Sequence, residues 1–209
     1  MTLIIENQLF PMINWFKYSF QYSYITLYSC DEYKKMSFRN RYVVAGSNGI
    51  ISLSVPVEKG RNQRTPFKEV KISYRENWQQ NHWRTITSCY NRSPYFEYYQ
   101  YQLEPFFTNR YDYLFEFNLA VLSWLKGILK MESQIHVINN SDENEIEAVN
   151  FTDRWLPKNF QADESPIIYP QVFIDKIGFQ PNLSILDMIF NLGPSSANYM
   201  QQSTIHSRL

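Results

Sequence analysis

Three features of the chain predict an α/β fold: a strand, helix, strand order across Leu3–Tyr28, two apolar runs joined by a Gly-bounded turn, and apolar residues at helical spacing later in the sequence. The predicted arrangement is a mixed sheet with a Rossmann-like N-terminal part, a β-hairpin, and packed helices in the C-terminal half. Residues 1–194 read as a single domain, and 195–209 as a polar C-terminal tail that frays.

Leu3–Ile5 is a short apolar strand. Pro11 marks a turn, and Ile13, Trp15, Phe16 and Phe20 then keep near-helical spacing as far as Tyr22. Tyr24–Tyr28 reads as the next strand, so the opening allows a parallel βαβ unit. Arg41–Ala45 and Ile50–Val57 flank Gly46-Ser47-Asn48-Gly49, whose residues tolerate positive φ, and this predicts a hairpin. Glu69–Ser73 alternates weakly as one more strand. Trp78–Tyr90 is an amphipathic helix with Asn77 as its cap, and Ser93-Pro94 starts a second helix at Tyr95. Leu114, Phe117, Val121, Leu122, Leu125, Ile128 and Leu129 define the clearest long helix, within Tyr111–Lys130. Ser133–Ile138 follows as a strand, Asn139–Glu147 as an acidic linker, and Phe151–Pro166 as an ordered surface loop. Ser184 and Asp187 precede the last apolar helix in capping-box spacing, and Gly193-Pro194 stops it.

Twenty basic and twenty acidic residues cancel, so no general attraction to nucleic acid or an anionic membrane is expected. No apolar run approaches the roughly 18 to 20 residues of a membrane span, and the opening lacks the pattern of a secretion signal, so a cytoplasmic location is expected. Cys30 and Cys89 lack metal-ligand spacing and read as reduced structural thiols; no metal and no cofactor is predicted. Aromatic residues are abundant, with 16 Tyr and 15 Phe. Phenol rings combine apolar area with a polar tip, which suits sugars and partner proteins alike.

The richest stretch is NWQQNHWRTITSCYNRSPYF, Asn77–Phe96. On a helical projection Trp78, His82, Trp83, Ile86, Cys89 and Tyr90 share an arc of about 140°. An imidazole bracketed by indole and phenol rings is partly dry, so His82 could titrate near neutrality and move a proton, whereas such a stripe more often packs on a core.

This block and GFQPNLSILDMIFNLGP, Gly178–Pro194, resemble the WbqC-like family. The resembling residues are Trp78, His82, Trp83, Tyr90, Pro94, Tyr95 and Phe96 in the first, and Pro181 through Asp187 with Gly193 and Pro194 in the second. Weaker matches lie at Ser37–Gly49 and Leu53–Gly60. Many members open with a strand ending in His-Gln-Pro, where this chain has Ile5, Glu6 and Asn7. If that histidine is the catalytic base in other members, this protein uses another group or catalyses nothing. The resemblance implies bacterial polysaccharide (O-antigen) biosynthesis, in a role moving glycine or another acyl group onto a nucleotide-linked amino sugar.

Acyl transfer to an amine needs a base, donors for an oxyanion and a cationic seat for phosphate. His82 is the expected catalytic residue. Expected to bind substrate are Arg39, Asn40 and Arg41, which could hold phosphate or carboxylate, the aromatic floor of Trp78, Trp83, Tyr90, Tyr95 and Tyr99, and the polar Asn77, Asn182, Ser184 and Asp187. Surface ion pairing for the arginines and helix capping for Asn182, Ser184 and Asp187 are the simpler readings. EKGRNQRTPFKEVK, Glu58–Lys71, sets five basic residues against two acids without a phosphate-loop motif. Two functions remain, a transferase on a small-molecule or sugar-nucleotide substrate and a non-catalytic binding or scaffold protein. A cleft joining His82 to Arg39 or Arg41 favours the first; an enclosed, hydrogen-bonded His82 counts against it. The oligomeric state is not legible.

Overall fold

A computed structural model of the chain describes residues 1–58, 64–139, 147–162 and 165–206. Most of the predicted acidic linker and part of the basic Glu58–Lys71 stretch lie outside these residues. The N-terminal half contributes β1 (Thr2–Ile4), α1 (Ile13–Ser19), β2 (Tyr24–Tyr28), β3 (Arg41–Gly46), β4 (Gly49–Ser54), a 3-10 turn at Phe67–Glu69, and α2 (Trp78–Tyr90). Then come α3 (Phe96–Leu103), α4 (Pro105–Thr108), α5 (Leu114–Ile128), β5 (Gln134–Ile138), β6 (Ala148–Asn150), α6 (Ile174–Ile177), α7 (Ile185–Leu192) and α8 (Ser195–His206).

Four strands form a parallel sheet in the order β5-β2-β1-β6, with Thr2 paired to both Tyr24 and Ala148 and Tyr24 paired to Gln134. The predicted βαβ start is therefore present. Leu3 and Ile25, paired at the sheet centre, are fully buried beside Leu27, Trp15 and Phe16. Strands β2 and β5 are added on one side of β1 and β6 on the other, so the order reverses at β1. The C-terminal ends of β1 and β6 thus flank a topological switch point, the favoured ligand position in open parallel sheets.

The predicted hairpin is β3 and β4, an antiparallel pair with Gly46 opposite Gly49. Gly49 has φ 131°, a value a side chain disfavours. Hairpin and sheet enclose one core with α2, α5 and α7, whose Ile86, Phe117, Leu125, Ile185 and Phe190 are buried. The N-terminus of α1 is supported from afar: Asn14 N–H donates to Asn182 Oδ1 at 2.8 Å.

Several elements differ from expectation. Glu69–Ser73 forms no strand; the 3-10 turn is followed by isolated bridges at Lys71 and Ile72, because the chain leaves Pro66 already turning. Ser93 does not start α3. Its hydroxyl donates back to the Tyr90 carbonyl at 2.7 Å, closing α2, while Tyr95 occupies the N-cap position of α3. Asn77 occupies the N-cap of α2 without bonding the helix backbone, its amide donating instead to Gln80 Oε1 at 2.8 Å. β6 lies between the predicted acidic linker and the predicted surface loop, where the sequence predicts no element. Ser195–His206, expected as a frayed tail, is helical, and its Ser196, Ala197 and Met200 are buried. Small residues let this polar helix approach α1 and α7 without an apolar stripe.

Gly193 ends α7 with φ 55°, and a Cβ there would lie 2.4 Å from the Tyr95 ring. Gly193→Ala is expected to destabilise the fold by about 2 kcal/mol, from left-handed strain and overpacking. A urea-midpoint shift with unchanged slope checks this.

Candidate functional site

The aromatic arc of α2 faces inward. His82 is 4% exposed; its Nδ1 lies 3.2 Å from the Tyr42 hydroxyl, and its ring meets the edges of Trp78, Tyr42 and Phe107. Burial lowers its pKa to about 4, against an opposing hydrogen bond with the Ser54 backbone. The imidazole is therefore neutral at pH 7 and closed off from any ligand. Because the folded pKa lies below the unfolded 6.5, unfolding takes up a proton between those values, and stability falls as pH drops from 6.5 towards 4. Full expression of this shift amounts to about 3 kcal/mol. Chemical denaturation at pH 7 and pH 4 should show that extra acid loss in wild type relative to His82→Gln.

Around it, Trp78 and Tyr99 are buried, Trp83 lies between the Phe96 and Phe107 rings, and Tyr95 covers Gly193 at the surface. Tyr90, Asp187 and Ser184 belong to a second enclosed group. Asp187 accepts from the Tyr90 hydroxyl at 2.7 Å, the Tyr169 hydroxyl at 2.6 Å and the Gln171 amide at 3.2 Å. Burial raises its pKa against these three donors. Ser184 caps α7, accepting from Leu186 N–H at 3.4 Å, and Asn182 is tied to Asn14 and Phe160. These contacts knit α2, the hairpin and α7 together without opening to solvent.

A different constellation lies at the switch point, and only Arg39, Asn40 and Arg41 of the sequence candidates approach it. Two residues past β1, the Glu6 carboxylate is 4% exposed and accepts from Gln8 Nε2 at 2.5 Å and from Asp153 N–H at 2.8 Å. Asp153, three residues past β6, reaches that bond with φ 57°, strained for a side chain. Its own carboxylate pairs with Arg39 and Lys34. Burial raises the Glu6 pKa, partly offset by the Arg39 charge and the two donors. Burial works on Asp153 too, but the Arg39 and Lys34 contacts overcome it and hold its carboxyl below the ordinary value. Asp31, half-buried at the rim, is raised by burial and by Asp153 against the two cations. The carboxyl groups of two residues, linked by the bond from Asp153 N–H to Glu6, are thereby driven in opposite directions, the pattern of acid–base sites.

Polar support radiates from this point. Asn118 donates to the carbonyls of Asn7 (3.2 Å) and Arg39 (2.8 Å), and Asn7 to that of Phe115 at 3.1 Å. Asn40 holds the Val55 carbonyl at 2.9 Å. Yet Asn7 Oδ1, Tyr33 Oη, Arg39 Nε, Asn40 Oδ1, Arg41 Nε and Asn118 Oδ1 are buried without partners. Buried polar groups are otherwise nearly always paired, so this concentration points to an outside ligand or ordered water.

Sequence reasoning missed Glu6 and Asp153. Glu6 had a signal, since it stands in the expected His-Gln-Pro tripeptide just past a strand. Asp153 had none. Among the described residues no His, Cys, Asp and Glu cluster fits a metal ion, and no helix is long and apolar enough to cross a membrane.

The sequence profile of the WbqC-like protein family matches residues 7–156, well over half of the chain. This chain belongs to the WbqC-like family. The match runs from Asn7, next to Glu6, past Asp153, and so spans nearly all of the polar constellation while ending before the closing block at Gly178–Pro194. No curated protein and no solved structure matches the chain. In this WbqC-like protein the sheet, the hairpin and α2 all fall within the matched region apart from β1.

Proposed function

We propose that this WbqC-like protein is a transferase of cell-envelope polysaccharide (O-antigen) biosynthesis that moves glycine or another acyl group onto a nucleotide-linked amino sugar, with Glu6 as the base. The observation that carries the reading is the Glu6 carboxylate at the C-terminal end of β1, dry, doubly hydrogen-bonded and raised in pKa beside an ionised Asp153. A carboxylate shifted upward is a stronger base than one in water and is matched to proton transfer nearer neutrality.

In this reaction the sugar nitrogen forms a bond to the acyl carbonyl carbon, the bond from that carbon to the donor's oxygen or sulfur breaks, and the amine proton passes to Glu6 and on to the leaving group. Gln8 and the Asp153 backbone fix the carboxylate; Arg39 holds Asp153 ionised. His82 has no part in the chemistry. Incubating the protein with nucleotide-linked amino sugars and activated glycyl or acyl donors, followed by mass spectrometry, tests the reading. A product heavier by the acyl group supports it.

The enclosure of His82 favours a second reading, binding without chemistry on the same fold. It predicts saturable sugar-nucleotide binding in the same mixtures with no change in mass.

A further inference from the structure

Arg39 lies between two environments. One side of its guanidinium meets Asp153 and feels Glu6; the other packs over the Phe67 ring, 5.9 Å from its centroid. Tyr33 packs against the same Phe67 ring, with centroids 6.1 Å apart. Tyr33 is 2% exposed and its hydroxyl has no partner. Both Arg39 and Arg41 act electrostatically on that hydroxyl, pulling its pKa down against the burial that lifts it to about 12. Arg41 starts β3, is only partly covered, and has no ion-pair partner among the described residues.

Three buried atoms without partners, the Tyr33 hydroxyl, Arg39 Nε and Arg41 Nε, are linked: Phe67 packs against both Tyr33 and Arg39, and both guanidinium charges act on the hydroxyl. A buried donor without an acceptor costs about 1–3 kcal/mol, and two of these three sit on cations. Arg39 and Lys34 pair with Asp153 and hold its carboxyl below the ordinary value, while the Arg41 charge acts on the Tyr33 hydroxyl and has no carboxylate paired to it among the described residues. Water can satisfy a donor but brings no charge. An anionic oxygen acceptor satisfies the donors and the charge together.

We propose that Tyr33, Arg39 and Arg41 form an oxyanion-binding subsite beside Glu6 that takes a phosphate or carboxylate group of the substrate. The subsite deepens the transfer reading and rests on it for the identity of the anion's carrier. A phosphate would belong to the nucleotide-linked sugar; a carboxylate would belong to the acyl donor or an acidic sugar. Tyr33 supplies discrimination, because its neutral hydroxyl rewards an oxygen placed at one point, while the two guanidinium groups supply attraction.

Isothermal titration of the full chain with inorganic phosphate, pyrophosphate and glycine at low ionic strength tests the subsite, alongside Tyr33→Phe and Arg41→Gln. Saturable binding of at least one probe is expected in wild type, weakened about tenfold by Tyr33→Phe and more by Arg41→Gln. Binding of the phosphates alone assigns the nucleotide, and of glycine alone the carboxylate carrier. Without anion, Tyr33→Phe should melt no lower than wild type, since it removes a hydroxyl that has no partner. Absence of binding by all three probes, equal affinity in wild type and both variants, or a lower melting point for anion-free Tyr33→Phe would overturn the assignment. The titration needs no turnover, so its failure is separate from a failure to form acylated product.

Discussion

Glu6→Gln should lose turnover by about 10²–10⁴-fold while still folding, the range expected when a positioned general base is removed. The amide keeps the shape of the side chain and can still accept one hydrogen bond, from Gln8 Nε2 or from Asp153 N–H, which fill the two carboxylate oxygens in the native protein. It cannot accept a proton. A stability gain is expected in the same experiment at neutral pH. The raised Glu6 pKa means that ionising the buried carboxylate works against folding as pH climbs above the unfolded value of 4.5, and glutamine removes that cost. Loss of turnover together with unchanged or higher stability separates a catalytic role from a structural one. The assay is product formation by mass spectrometry beside a urea melt of the same preparation.

Asp187→Ala should destabilise the protein by about 3–5 kcal/mol, the largest stability effect expected in the chain. Its carboxylate accepts from two phenols and one amide, and all of Tyr90, Tyr169, Gln171 and Asp187 are buried. Alanine leaves two phenol hydroxyls without an acceptor, while Gln171 keeps the Gln180 carbonyl at 2.9 Å, and it opens space between α7 and the hairpin, whose Ala45 N–H donates to Tyr90 at 3.1 Å. Asp187→Asn, which keeps one acceptor oxygen, should cost less. Urea midpoints of the two variants check the order. An effect of Asp187→Ala below about 1 kcal/mol would show that these donors find water instead.

The elements legible in the sequence are those whose pattern is long or whose turn chemistry is specific. α5 and its C-cap Leu129 carry seven apolar residues at helical spacing, and the hairpin carries Gly at both ends of its turn. β6 has three residues, too few for any period, and its pairing with β1 is a long-range choice that local sequence does not encode. α8 escaped notice because Ser196 and Ala197 bury by smallness instead of hydrophobicity. The site divides in the same way. Arg39 and Arg41 stand out in the sequence because cations beside a strand suit anions, and the rings around His82 signal a dry place. Dryness alone does not single out an acid or base: His82 and Glu6 are equally covered, and what distinguishes Glu6 is the hydrogen bond from the backbone of Asp153, whose carboxylate is partly exposed. Asp153 enters through tertiary pairing, from a stretch with no period, and only the folded chain brings it to Glu6.

The central claim is that chemistry occurs at the end of β1 and not on α2. Side-by-side turnover of Glu6→Gln and His82→Gln at pH 7, each verified as folded, tests it most directly. The account predicts a loss of about a hundredfold or more for Glu6→Gln and less than about threefold for His82→Gln. A large loss for His82→Gln with activity retained in Glu6→Gln would contradict it.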